Sequence, residues 1–207
     1  MPETGPKLPI TIRIGYEWTD RNREPHTSPP VDRYRFIKKQ IELVVAEVQK
    51  LAAARQGVRP LYIQVGRMRA RHGAELLPRF RELCRKTDIL AFDITGQNPN
   101  VMMELGMALG VKEAASGQVF IIKERCCSEL EIPSDLRGYF ITYIKLQPQT
   151  KSQCELKLED VRGFKAALRA DIIDLARERG MWGEKGLVEE KDDSEEPGQA
   201  PENPKGV

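Results

Sequence analysis

Two acids on either side of a turn, Asp93 and Glu104, are the residues of this 207-residue chain best suited to chemistry. Asp93 lies near the end of Asp88-Ile-Leu-Ala-Phe-Asp-Ile94, an almost continuously apolar run that reads as a strand covered on both faces. A carboxylate there is costly unless hydrogen-bonded. Strand alternation puts it on the side of Ile89 and Ala91. It either accepts hydrogen bonds from the following turn, Ile94-Thr-Gly-Gln97, or holds a ligand hydroxyl. Glu104 falls, at ~100° per residue, near the stripe made by Val101, Leu105 and Ala108, so it borders the core. A desolvated glutamate has a raised pKa or needs a cationic partner, and enzymes prepare a nucleophile or general base in this way. The plainer alternative is a helix-edge glutamate paired to an arginine. Both acids sit near the amino end of one helix, where the dipole and free N–H groups favour anions.

Ligands of open α/β sheets lie outside the carboxyl ends of the strands, which selects the other candidates. Tyr16 and Trp18 follow the first strand and either stack a base or pack at the rim. Arg67 follows the second and begins a cluster with Arg69, Arg71 and His72 that suits a nucleotide diphosphate or serves as a solvated basic face. Thr95, Asn98 and Asn100 follow the third and either hydrogen-bond a ligand or shape the turn, and Lys123 to Arg125 follow the fourth. His26 and His72 have no Ser or Cys arrangement of a hydrolase triad. Cys84, Cys126, Cys127 and Cys154 form no CxxC pair, so no metal site and no disulfide framework is expected.

These residues need a scaffold, and the apolar periodicities supply one. Ile10, Ile12 and Ile14 alternate with polar neighbours, marking a first strand that ends near Tyr16. A proline-rich loop runs from Glu17 to Pro30, and from Asp32 the spacing of Ile37, Ile41, Val44, Val45, Val48 and Leu51 marks a helix ending before Gly57. Further strands are expected at 61–65, 88–94, 118–123 and 139–144, with helices over 73–86, 98–110 and 158–179. Alternation of this kind, with right-handed crossovers, predicts a single doubly wound domain, flavodoxin-like or Rossmann-like, with a five-stranded, mostly parallel sheet flanked by helices. The expected limits are a flexible 1–9, the α/β domain at 10–180 and an acidic, disordered tail at 181–207. Residues 188–207 hold seven acids and two lysines, net −5, against +2 for the whole chain. That balance does not announce nucleic acid, although RNA binding through the arginine cluster stays open. With no run of ~18 apolar residues and no basic-then-apolar opening, the expectation is a cytoplasmic protein with no membrane segment.

The stretch Asp93-x-Thr-Gly-x-Asn-Pro-Asn-Val-x-x-Glu-Leu-Gly-x-Ala108 resembles the signature of nucleoside 2-deoxyribosyltransferase-like and TIR-like domains. Arg71, Gly73 and Glu75, and Ile132-Pro-Ser-Asp-Leu-Arg-Gly138, are similar to flanking features of those domains, so the likeness covers roughly residues 10–145. The resemblance implies that Glu104 attacks, or stabilises charge at, an anomeric carbon, and that Asp93 contacts the sugar or base. It implies a nucleotide or nucleoside ligand, with NAD as a substrate and no resident cofactor, and allows a homo-oligomer. The chain differs from the family in the longer 111–117 segment after the motif helix and in a first loop without a glycine-rich opening. Two functions remain open here: cleavage or transfer at an N-glycosidic bond, and nucleotide sensing or self-association without turnover.

Overall fold

The computed structural model describes residues 9–16, 30–55, 60–68, 76–112, 118–125, 136, 139–148 and 154–182. The 17–29 loop with Trp18, the Arg69–Glu75 cluster and the acidic tail lie outside them. Ten elements follow in chain order: β1 (Ile10–Gly15), α1 (Pro30–Ala54), β2 (Ile63–Arg67), α2 (Leu76–Lys86), β3 (Ile89–Asp93), α3 (Pro99–Val111), β4 (Val119–Glu124), β5 (Ile141–Pro148), β6 (Cys154–Leu158) and α4 (Val161–Glu178). They build one Rossmann-like α/β sheet of order β2-β1-β3-β4-β5-β6, parallel from β2 to β5.

The sheet has six strands where the sequence suggested five. Cys154–Leu158 pairs antiparallel with β5, so Leu158 ends a strand and does not begin the closing helix. The helix starts after Asp160, whose side chain caps it by accepting from the Gly163 N–H at 2.8 Å.

Two apolar clusters flank the sheet. Ile10, Ile12 and Ile14, with Ile89, Ala91 and Ile122, face α1 and α4. Leu90, Phe92 and Ile121 face α2 and α3. Every residue of β3 is buried, as its unbroken apolar run requires. Met181 and Trp182 complete the first cluster beyond the end of α4. Among the described residues no helix is long and apolar enough to cross a membrane.

The amino edge of the sheet is stapled by charge. Asp88 accepts from the Thr11 N–H at 2.7 Å and from the Thr11 hydroxyl, and its other oxygen binds the Arg179 guanidinium at the end of α4. Arg179 also donates to the Pro9 carbonyl at 3.0 Å. Lys112 Nζ donates to the Thr87 carbonyl at 2.6 Å and to Gln118 Oε1 at 3.2 Å, tying the end of α3 to the starts of β3 and β4.

At the carboxyl edge, Gly15 pairs with Phe92 in register, and a Cβ on Gly15 would stand 2.6 Å from the Phe92 ring. The ring is fully buried and has no room to withdraw. Gly15→Ala is therefore expected to lower stability by about 1–3 kcal/mol, measured as a shift in the urea midpoint at unchanged m-value.

Candidate functional site

β1 lies between β2 and β3, so the chain reverses direction across the sheet at β1. The crossovers from β1 and β3 consequently run over opposite faces, and their carboxyl ends flank a crevice of the kind where ligands bind in open α/β sheets. Asp93 stands there as the last residue of β3, on the face of Ile89 and Ala91 as alternation requires. Arg33, in the first turn of α1, donates from Nε to Asp93 Oδ2 at 2.7 Å. Asp93 Oδ1 accepts the Thr95 N–H at 3.1 Å and the Thr95 hydroxyl. The Thr95 oxygen in turn accepts the Glu124 N–H at 2.9 Å. Arg33 also approaches the Glu124 carboxylate, at 3.7 Å. Arg33, Asp93, Thr95 and Glu124 are all buried, so the Arg33 guanidinium stands between two carboxylates that water does not reach.

Beside this cluster, Tyr16 stacks on Tyr34 with ring centroids 4.4 Å apart, and Arg67 lies 5.7 Å over the Tyr34 ring. Both tyrosines are buried, so Tyr16 is engaged as a packing residue, whereas Arg67 is exposed at the end of β2.

The turn into α3 is shaped by its own polar groups. Gln97 adopts φ +45°, the left-handed region that residues with a Cβ rarely occupy, and its N–H bonds the Ile94 carbonyl at 3.0 Å. Asn98 caps the helix by accepting from the Asn100 N–H at 2.9 Å, and Pro99 takes the first helical position. Such strain collects at ligand clamps and active sites. Asn100 is exposed on the first turn.

Glu104 lies further along α3, in the layer that α2 and α3 form on the other side of the sheet from Asp93 and Arg33. No hydrogen bond or ion pair joins the two acids, and among the described residues Glu104 pairs with no cation. It is half-buried, and desolvation raises its carboxyl to about 7. The Cys84 thiol of α2 is raised to about 11, mainly by burial, with the Glu104 charge adding to the effect. A hollow of about 380 Å³ opens on this layer, lined by Leu77, Pro78, Arg81, Arg85 and Met107, with Glu104 outside its lining.

The residues singled out in the sequence thus fall into three groups. Asp93 and Thr95 join one buried network, Tyr16 packs beside it with Arg67 at its rim, and Asn98, Asn100 and Glu104 belong to α3 and its cap. Trp18 lies outside the described residues. Arg33 is the residue that sequence reasoning missed. Its signal was present, because Arg33 continues the inward stripe of Ile37 and Ile41 four residues earlier, and only its charge set it apart. Glu124 likewise keeps the inward phase of Phe120 and Ile122. Among the described residues no group of three or more His, Cys, Asp or Glu side chains is placed to hold a metal. No protein-family model matches the chain, and no curated protein matches it.

Two outcomes follow for stability. Arg33→Met leaves Asp93 and Glu124 without their guanidinium and is expected to cost about 3–5 kcal/mol in urea unfolding. Glu104 favours its neutral form in the fold, so its contribution is fullest below the ordinary carboxylate range and is lost as pH rises towards about 7. Glu104→Gln should therefore match the parent near pH 4 and exceed it by roughly 1–3 kcal/mol at pH 8, with a remaining decline from Asp171, whose carboxyl is also raised to about 7 by burial.

Proposed function

We propose that this chain binds a nucleotide or nucleoside at the carboxyl edge of its sheet and cleaves or transfers the N-glycosidic bond through Glu104. The observation that carries the proposal is a half-buried carboxylate on α3 with no cationic partner among the described residues, just beyond a strained turn at the switch of strand order. The similarity of Asp93–Ala108 to deoxyribosyltransferase-like and TIR-like domains supports the substrate class, with NAD or a nucleoside as the molecule cleaved.

In this mechanism the bond between the anomeric carbon and the base nitrogen breaks, and its electron pair leaves with the base. Positive charge develops on the sugar, and the Glu104 carboxylate either stabilises it or bonds to the anomeric carbon. Water, or a second base in a transfer reaction, then bonds to that carbon and releases Glu104, and the proton lost by the incoming group passes to the departed base or to solvent. Asp93 is a positioning residue here, because its oxygens are occupied by Arg33 and Thr95. It fixes the turn from which α3 projects Glu104.

A second function, nucleotide binding without turnover, draws on the same occupancy. Asp93, engaged and facing the other layer, does not stand beside Glu104 to manage a proton. The two are separated by incubating the protein with NAD and with nucleosides and following released nicotinamide or free base. Catalysis predicts product formation that rises with pH through about 7, where Glu104 ionises, and falls about 10³-fold in Glu104→Gln while ligand affinity is kept. Full turnover in Glu104→Gln overturns the catalytic role, and calorimetric binding without product supports the binding module.

A further inference from the structure

The hollow on the α2–α3 layer has a chemical character distinct from the carboxyl edge. Leu77, Pro78 and Met107 give it an apolar floor, and Leu77 is half exposed. Arg81 and Arg85, one helical turn apart on α2, line the same hollow, are exposed, and make no ion pair among the described residues. A surface of this kind fits a segment that presents aliphatic side chains followed closely by carboxylates.

The chain contains one such segment. Leu187-Val-Glu-Glu-Lys-Asp-Asp-Ser-Glu-Glu196 begins with two aliphatic residues and continues with six acids against one lysine. Its attachment point lies at the amino edge of the sheet, on the α1–α4 face, around that edge from the end of α2. The described chain ends at Trp182, three residues beyond Arg179. Arg179 is bonded to Asp88, which itself follows Arg85 by three residues. Glu189 is seven residues past Trp182, an extended reach of ~23 Å, and the acidic run adds a similar length.

We infer that the Arg81–Arg85 groove is an interaction surface for this chain's own residues 187–196, with Leu187 and Val188 against Leu77, Pro78 and Met107 and the following glutamates paired to the two arginines. The contact uses residues other than Glu104 and is argued without the chemistry proposed for it. It gives Arg81 and Arg85 a partner and covers apolar surface that is left exposed among the described residues.

Lys191 sits inside the segment and Lys205 beyond it, so a lysine-specific protease acting on the full-length native protein carries its own control. In the parent, cleavage after Lys191 should be slowed relative to Lys205. Arg81→Gln/Arg85→Gln, which alters only exposed side chains, should raise the Lys191-to-Lys205 cleavage ratio about fivefold, as loss of two exposed ion pairs implies. Glu189→Gln/Glu190→Gln should raise it similarly, and adding the tail substitutions to the arginine pair should produce little further change. A ratio indifferent to both pairs of substitutions overturns the inference. Dilution over twentyfold should leave the parent ratio unchanged, whereas a ratio that climbs on dilution assigns the groove to the tail of a second copy and overturns the intramolecular contact.

Discussion

The guanidinium of Arg33 answers a costly demand of this fold, which is to end two buried strands in carboxylates. Asp93 and Glu124 terminate neighbouring strands on the same face of the sheet, and neither has access to bulk water. Mutual repulsion at the end of a low-dielectric core would expel or protonate one of them without a fixed positive charge. Arg33 supplies that charge from the first turn of α1, and Thr95 couples the same aspartate to the backbone of β4. The start of one helix, the ends of two strands and the turn into another helix are thereby held by a single polar cluster.

That arrangement also divides labour between the two acids. Asp93 is held, oriented and enclosed, whereas Glu104 is desolvated with no cationic partner among the described residues. One carboxylate therefore behaves as architecture and the other as a group whose charge responds near neutrality. A pair of acids that look equivalent along the chain are separated by the sheet itself, because strand alternation sends Asp93 to the α1 face and the next crossover carries Glu104 over the other.

Much of this is legible in the sequence. The alternation of Ile10, Ile12 and Ile14 located the first strand, the unbroken apolar run placed β3 at the centre, and phase along β3 placed Asp93 on the correct face. The helical stripe of Val101, Leu105 and Ala108 gave Glu104 its half-buried position. What stayed hidden had definite causes. β6 is a short edge strand, Cys154-Glu-Leu-Lys-Leu158, and its last leucine also begins a helical spacing, so periodicity alone merged it with α4. Arg33 escaped because residue type suggested solvent while position demanded burial, a conflict that only the partner's location resolves. Asp93's engagement with Arg33 spans sixty residues and leaves no local trace.

The staple at the opposite edge bears on how such a chain comes together during synthesis. Arg179 joins Asp88, ninety-one positions earlier, and the Pro9 carbonyl, one hundred and seventy positions earlier. Contacts that distant close large loops before they return any stabilisation, which slows the final assembly relative to helices that form locally. A nascent chain that has emerged only as far as β5 lacks both the antiparallel border of its sheet and the arginine that fastens the beginnings of two central strands. Its isoleucine-rich face is then uncovered where α4 later lies, so the growing polypeptide passes through an interval in which shielding by chaperones matters most.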